Sequence, residues 1–219
     1  MNADYGIRDE YLVRYPSLER IAAKLQPFIK EIVEGIERID SVSARAKDPE
    51  RYFQKAIKLD DNGKPKYTNA RFEIQDQIGA RITVFYLSDV MTIREKVVSQ
   101  FRFIEEASKS PASESEFGYF GLHFILALPG DVVEEGQEEE APEFFELQIK
   151  TLFQHAWSEA HHDLGYKSIR KLTVDERRKV AFTAAQAWGA DTIFEELSQG
   201  LGLNDNEPSK PESEQSAPA

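Results

Sequence analysis

The chain has 219 residues and a formal net charge of −12, and it contains no cysteine. Its length is enough for one domain with a substantial core, or for one domain with a helical appendage. The absence of cysteine excludes disulfide bonds, thiolate zinc sites and a thiol nucleophile. No apolar run approaches the roughly 20 residues that a membrane span needs, and the N-terminus lacks a signal-peptide pattern. We therefore expect a cytoplasmic protein without a membrane partner.

Most of the negative charge lies in two segments. Residues 131–143 carry seven acidic residues and no basic one, and we expect an extended hairpin or a disordered loop there. Residues 203–219 carry four acidic residues and one lysine, and their polar composition predicts a disordered acidic tail. The rest of the chain is near neutral. It allows a basic nucleotide pocket but does not indicate a broad nucleic-acid-binding face.

The N-terminal segment, residues 1–39, is predicted to be helical. Residues 8–15 predict a short helix that Pro16 stops. Ser17 is then a candidate N-cap for a second helix that extends to about Ile39. Apolar residues recur at spacings of three and four along this second helix, so one of its faces should be buried.

Residues 40–170 alternate between strand and helix patterns and form the predicted core. The patterns predict strands over residues 41–47, 77–86, 102–107, 122–128 and 144–151, with intervening helices that include 88–100 and 152–166. A further helix, 174–199, lies in the C-terminal segment 171–202. This order favours an α+β fold with a mixed β-sheet of about five strands flanked by helices.

Two carboxylates lie in or beside predicted strands, where a charged group is costly unless it has a partner or a function. Glu146 interrupts the apolar run of residues 144–151, and Asp76 directly precedes the strand that begins at Gln77. If the two strands are neighbours, both carboxylates lie at one sheet edge. There they would suit Mg²⁺ held together with substrate phosphates. Taken alone, such a pair is more typical of solvated strand ends.

Basic residues near these acids would favour the binding of a triphosphate, because phosphoryl transfer requires fixed positive groups. They are Arg45, Lys47, Arg51, Lys55 and Arg81. The same residues also fit an ordinary solvated charged face, and the residue pattern leaves both interpretations open.

Four short segments, taken together, resemble the motifs of a known family. Residues 76–81 read Asp-Gln-Ile-Gly-Ala-Arg, and residues 118–123 read Gly-Tyr-Phe-Gly-Leu-His. Residues 146–151 read Glu-Leu-Gln-Ile-Lys-Thr, and residues 162–167 read His-Asp-Leu-Gly-Tyr-Lys. In this order and at these separations they resemble the consecutive motifs of the RelA/SpoT alarmone synthetase family.

The resemblance implies a nucleotidyltransferase-like synthetase domain that moves the β,γ-diphosphate of ATP to the 3′-hydroxyl of a guanine nucleotide, GTP or GDP. It implies Mg²⁺ held by Asp76 and Glu146, with Glu146 also orienting or deprotonating the attacking hydroxyl. Tyr119 would stack on the acceptor base, and His123 would lie near the acceptor's phosphates or ribose. The ATP-binding residues would be Arg45, Lys47, Arg51, Lys55 and Arg81. The length matches a small stand-alone synthetase, and we expect a homo-oligomer.

The loop before Tyr119 leaves the acceptor open. Its residues 108–116 offer only Lys109 for the acceptor's phosphates, and Glu114 and Glu116 lie close to the tyrosine. One alternative is a toxic small synthetase that pyrophosphorylates the 3′ end of tRNA or makes (p)ppApp, and that an antitoxin neutralises. Another is a non-catalytic nucleotide-binding module that kept the fold.

Two further groups have ordinary explanations. His155, Glu159 and His162 share one helical face and could be read as metal ligands, but the spacing equally suits a helix laid against the sheet. A set of apolar residues near the C-terminus occurs at helical spacing and predicts core or a subunit contact rather than a base-stacking platform. This set is Trp157, Phe182, Trp188, Ile193, Phe194 and Leu197.

Overall fold

The computed structural model of the chain describes residues 3–108, 118–119, 121–166 and 170–203. The helices are α1 (Ala3–Ile32), α2 (Pro49–Ala56), α3 (Ala70–Glu73), α4 (Leu87–Gln100), α5 (Leu152–Tyr166) and α6 (Val174–Gly200). The strands are β1 (Ile39–Ala46), β2 (Ile78–Val84), β3 (Phe103–Ser108), β4 (Leu122–Ala127) and β5 (Phe144–Thr151). Within the described ranges, no helix combines the length and apolarity that crossing a bilayer requires.

The five strands form one mixed sheet in the order β1-β2-β5-β4-β3. β2 and β5 pair in parallel, and the other neighbours pair antiparallel. This confirms the predicted α+β fold with a mixed sheet of five strands. The parallel pair brings the strand that follows Asp76 directly beside the strand that contains Glu146, with Gly79 opposite Glu146.

The two faces of the sheet differ sharply in polarity. One face is apolar and packs against α1 and α4, whose buried residues include Leu18, Ile21, Leu25, Ile93 and Val97. The buried strand residues of this core are Val42, Ala46, Ile78, Ala80, Ile82, Val84, Phe124, Leu126, Phe145, Leu147 and Ile149. Because side chains alternate along a strand, the intervening residues point to the opposite face. That second face carries the polar residues of the candidate site.

The N-terminal helices differ from the prediction. A single helix, α1, continues through Pro16 and Pro27 and ends at Ile32 rather than near Ile39. Ser17 is therefore not an N-cap; it is buried inside the helix, and its hydroxyl donates to the Glu140 carboxylate. Tertiary contacts of this kind on both sides of Pro16 compensate for the loss of the backbone hydrogen bond that proline cannot donate.

The acidic segment 131–143 is the connection of an antiparallel hairpin, because it joins β4 to β5, but the segment itself forms no strand. It begins in a short 3₁₀ helix, Gly130–Val132, and then runs alongside α1. The guanidinium of Arg14 donates to the Glu140 carbonyl oxygen at 2.8 and 3.2 Å, and Lys24 pairs with Glu134 at 2.8 Å. Basic side chains of α1 thus hold the acidic segment against the apolar side of the fold.

The C-terminal apolar set is mostly exposed. Trp157 is buried, but the five members on α6 are about half exposed or more: Phe182, Trp188, Ile193, Phe194 and Leu197. They do not belong to the core of this chain, and the expected homo-oligomer stays a prediction. The predicted disordered tail, 203–219, lies outside the described residues apart from Leu203.

Gly121, which directly precedes β4, lies where the fold has no room for a side chain. A Cβ atom there would lie 2.3 Å from the Ile149 carbonyl oxygen and 2.4 Å from Lys150 Cγ. Because that oxygen belongs to the sheet backbone, Gly121→Ala should lower the free energy of unfolding by about 1–3 kcal/mol. Thermal unfolding checks this, with Gly79→Ala as the matched control, since no atom lies within 4 Å of its Cβ position. Equal melting temperatures for the two variants would contradict the expectation.

Candidate active site

The candidate site lies on the polar face of the sheet, at the junction of four strands. The pairing registers place the following side chains on this face: Arg45 of β1, Arg81 of β2, His123 of β4, and Glu146 and Gln148 of β5. Helix α5 lies against the same face, where Lys150 Nζ donates to Ser158 Oγ at 3.0 Å. The site is therefore formed by the rigid sheet below and by α5 at one side.

Glu146 is held by two neighbours on this face. His123 Nδ1 lies 2.9 Å from its Oε1, and Gln148 Nε2 donates to its Oε2 at 2.9 Å. Burial alone would raise the pKa of Glu146, but the hydrogen bonds from His123 and Gln148 and the nearby charges of His123 and Lys47 lower it to about 2. The carboxylate is therefore ionised across the physiological pH range.

Asp76 lies just before β2 and is clamped by two lysines. Its Oδ2 is 2.7 Å from Lys47 Nζ and 3.0 Å from Lys55 Nζ. Its Oδ1 is buried and has no hydrogen-bond partner among the described residues. A buried, unpartnered carboxylate oxygen is costly, and it is the kind of ligand that a hard cation takes.

The Lys47 ammonium connects the two carboxylates. It forms an ion pair with Asp76, and it is close enough to Glu146 to help lower the pKa of that group. Asp76 and Glu146 therefore both interact with the same ammonium group. Among the described residues, no group of three His, Asp or Glu side chains is arranged to hold a metal.

A second polar cluster joins β2 to α5. Arg81 Nη1 donates to Glu159 Oε1 at 2.7 Å and lies 3.0 Å from His155 Nδ1. Burial and the charge of Arg81 lower the pKa of His155, and burial and the charge of Arg51 lower the pKa of His162. The face of α5 that carries His155, Glu159 and His162 lies towards three arginines. These are Arg45 of β1, Arg51 of α2 and Arg81 of β2.

Tyr119, the predicted acceptor-stacking residue, is buried beside α5 and α6. The residue is 9% exposed and packs with Trp157 and Ala184. Its hydroxyl donates to Asp191 Oδ2 at 2.5 Å. In this conformation the tyrosine belongs to a small core between α5 and α6, separate from the cluster around Glu146.

The structure thus brings most of the predicted site residues together. Glu146, Asp76, His123 and the basic side chains Lys47 and Lys55 surround one region, and Arg45, Arg51 and Arg81 surround the adjoining face of α5. Gln148 and Asp191 contact Glu146 and Tyr119 directly, but the sequence alone did not single them out. The position of Gln148 two residues after Glu146 on the same strand could have revealed the first. No sequence signal marks the second, because its role depends on how α6 docks.

A sequence model of the family described as a region found in RelA / SpoT proteins matches residues 44–171, which is more than half of the chain. The chain belongs to the RelA/SpoT family. The matched range contains Asp76, Glu146, Tyr119 and the basic residues of the site.

The chain is also similar to individual proteins of this group. It is 26% identical over 130 residues to GTP pyrophosphokinase YjbM of Bacillus subtilis (strain 168), a match that spans 59% of this chain and 58% of that protein. Its fold resembles a GTP pyrophosphokinase family protein from Streptococcus pneumoniae, with a TM-score of 0.70 and 20% identity over 93% of this chain and 97% of that one. It also resembles small alarmone synthetase 1 from Bacillus subtilis, with a TM-score of 0.68 and 22% identity over 89% and 97%.

Proposed function

We propose that this protein is an ATP-dependent pyrophosphokinase that transfers the β,γ-diphosphate of ATP to the 3′-hydroxyl of a guanine nucleotide, GTP or GDP, and so makes a (p)ppGpp-type alarmone. The observation that carries the proposal is the pair of carboxylates, Asp76 and Glu146, with the Lys47 ammonium as their common neighbour. The RelA/SpoT family membership and the name of the Bacillus relative point to the same chemistry. Small alarmone synthetase 1 from Bacillus subtilis has been solved with its product pppGpp and with AMPCPP, which agrees with the proposed substrates.

The proposed reaction is an in-line displacement at the β-phosphorus of ATP. The acceptor's 3′-oxygen forms a bond to this phosphorus while the bond to the oxygen bridging the α- and β-phosphates breaks, and AMP leaves. The hydroxyl proton passes to Glu146 and then to water. With a pKa of about 2, Glu146 acts mainly by orienting the hydroxyl, and it accepts the proton as the new bond forms. Each of its oxygens has a second lone pair for this hydrogen bond.

The basic side chains around the two carboxylates would bind ATP. Fixed positive groups neutralise the charge that develops on the transferred diphosphate and on the leaving phosphate. The proposed ATP-binding residues are Arg45, Lys47, Arg51, Lys55 and Arg81. The planar guanidinium of an arginine would in addition stack on adenine.

The donor set also fits Mg²⁺. When bound, the ion would neutralise negative charge on the phosphates of ATP. Asp76 Oδ1 is a suitable ligand because it is buried and makes no hydrogen bond to any described residue, and Glu146 would contribute a further oxygen. Magnesium usually has one or two protein carboxylates and takes its remaining ligands from phosphates and water, which agrees with a site built on Asp76 and Glu146.

Tyr119 and His123 would bind the acceptor. His123 directs Nδ1 to Glu146, while its buried Nε2 has no hydrogen-bond partner among the described residues. That nitrogen is therefore available to the ribose or a phosphate beside the attacking hydroxyl. Tyr119 would stack on the base, for which its ring must leave the position described above.

Glu159 is expected to compete with ATP for Arg81. Its carboxylate lies 2.7 Å from Arg81 Nη1, and the pair is partly exposed. Since an exposed pair is worth about 0–1 kcal/mol, Glu159→Gln should lower the KM for ATP by up to about fivefold and leave the KM for the acceptor unchanged. Steady-state kinetics measure both. Glu50→Gln is the matched control, because Glu50 pairs with Arg8 at 3.3 Å instead; a raised KM for ATP in Glu159→Gln would show that Glu159 supports Arg81 rather than competing.

A panel of acceptors tests the proposed function. Purified protein with Mg²⁺ and γ-labelled ATP is given GTP, GDP, GMP, ATP or tRNA, and the products are examined for label on a 3′-hydroxyl. We expect label on GTP or GDP. Label on tRNA or on an adenine nucleotide instead would favour the toxic small synthetase, with an antitoxin as its partner. Label on none of them would leave a non-catalytic nucleotide-binding module.

A further inference from the structure

The position of Tyr119 depends on helix α6. The ring lies in a small core with Trp157 of α5 and Ala184 of α6, and Val180 and Ala187 of α6 pack around it. Because only 9% of Tyr119 is exposed, its ring has no open face of the size that a purine needs. The part of α6 that covers it comprises successive turns on one side of the helix.

A buried carboxylate of α6 fastens this arrangement. Asp191 is 1% exposed, and its Oδ2 accepts hydrogen bonds from the Tyr119 hydroxyl at 2.5 Å and from Thr151 Oγ1 at 2.6 Å. Its Oδ1 has no partner among the described residues. Burial raises the pKa of Asp191, and the hydrogen bonds from Thr151 and Tyr119 oppose this rise. A single carboxylate thus links α6, the end of β5 and the segment before β4.

Other described contacts between α6 and the body of the fold include a hydrogen bond from Trp157 Nε1 to the Val180 carbonyl oxygen at 3.4 Å and two contacts in the C-terminal half of the helix. Glu195 accepts hydrogen bonds from Ser88 at 2.9 and 3.1 Å, and Phe194 stacks on Phe153 with ring centroids 5.8 Å apart. The opposite side of α6 is exposed. Three of the 27 residues of α6 are buried, Ala184, Asp191 and Ser198, and an element that buries few residues opens at a lower free energy than the core does. The fold therefore allows α6 to move while the sheet stays intact.

We propose that α6 and the acceptor base compete for Tyr119, so that the acceptor binds only when Asp191 releases the tyrosine hydroxyl and α6 moves off the ring. This proposal rests on the proposed function, in which Tyr119 stacks on the acceptor base. The apparent dissociation constant for the acceptor is then the intrinsic dissociation constant divided by the fraction of molecules in which Tyr119 is released. By linkage, the acceptor must loosen α6 to the same extent. Asp191 is thus a positioning residue that sets acceptor affinity without touching the reacting atoms.

Two substitutions of Tyr119 test the competition because they should act in opposite directions. Tyr119→Phe keeps the ring but removes the hydrogen bond to Asp191, and it should lower the acceptor KM by about tenfold, the size of one hydrogen bond to a charged group. Tyr119→Ala removes the ring and should raise the acceptor KM. Asp191→Ala should act in the same direction as Tyr119→Phe, and the two should not add in the double variant. The KM for ATP should stay unchanged in all of them.

Glu196→Ala is the control for these variants, because Glu196 is an exposed residue of the same helix and the variant should behave as wild type. Melting temperatures identify any variant that fails to fold. A raised acceptor KM in both Tyr119→Phe and Asp191→Ala would show that Asp191 holds the tyrosine in its working position and would overturn the proposal.

Hydrogen exchange in the wild-type chain gives a test that needs no variant. Addition of GDP should speed amide exchange in α6 while the exchange of β2 and β5 stays slow. Slowed or unchanged exchange in α6 despite GDP binding would refute the competition, and transfer to GTP or GDP in the acceptor panel would still leave the proposed function standing. If neither GDP nor GTP binds, both proposals fail.

Discussion

Replacement of Glu146 by glutamine is expected to lower kcat for pyrophosphate transfer by about 10²- to 10⁴-fold, the range that a positioned acid–base group contributes. The amide keeps the shape of the side chain, but it cannot accept the proton of the attacking hydroxyl. It also turns one acceptor oxygen into a donor that faces His123 or Gln148, which hold the carboxylate at 2.9 Å each. The dissociation constant for ATP should change little, and calorimetry can measure it separately from kcat.

Glu143→Gln is the matched control for Glu146→Gln. Glu143 is an exposed acid directly before β5, so its neutralisation changes the net charge by the same amount at a short distance along the chain. It should leave kcat close to the wild-type value. If Glu146→Gln kept more than about a tenth of the wild-type kcat, Glu146 would not be the group that orients the hydroxyl.

Replacement of Asp76 by asparagine is the second change with a large expected effect. The amide keeps one oxygen but loses the charge that attracts a divalent cation and that pairs with Lys47 and Lys55. We expect a loss of at least about 10²-fold in kcat at a fixed Mg²⁺ concentration. The Mg²⁺ concentration at half-maximal activity should also rise. Titration of activity against Mg²⁺ distinguishes this shift from a general loss of folding.

Asp61→Asn serves as the control for the Asp76 substitution, because Asp61 lies in the exposed turn after α2 and outside the candidate site. Its Mg²⁺ titration should coincide with that of the wild type. An Asp76→Asn variant that loses activity but keeps the wild-type Mg²⁺ dependence would mean that Asp76 only positions Lys47 and Lys55, and that the ion binds elsewhere.

The strands of the sheet follow directly from the sequence because each has a local signal. Strand β5, Phe144–Thr151, alternates apolar and polar residues, and its buried members Phe145, Leu147 and Ile149 all face the core. The same alternation places Glu146 on the opposite face. A carboxylate at a polar position of an otherwise buried strand can therefore be recognised as a site candidate before the fold is known.

Features that depend on contacts distant in sequence could not be predicted in this way. Pro16 is a local signal for a helix end, yet α1 continues through it because the stacking of Tyr11 on Tyr52, with ring centroids 3.8 Å apart, and the contacts of Arg14 with the acidic segment hold the helix in place. Asp191 is an unremarkable acid in a helical pattern. Only the docking of α6 makes it a buried partner of Tyr119.

The most direct test of the proposed chemistry is to identify the nucleotide that leaves. Wild-type protein is incubated with Mg²⁺, GDP and ATP labelled at both the β- and the γ-phosphate, and the products are separated and quantified. We expect AMP to appear in a one-to-one ratio with a guanine nucleotide that carries both labels on its 3′-oxygen. Formation of ADP, or transfer of the γ-label alone, would contradict it.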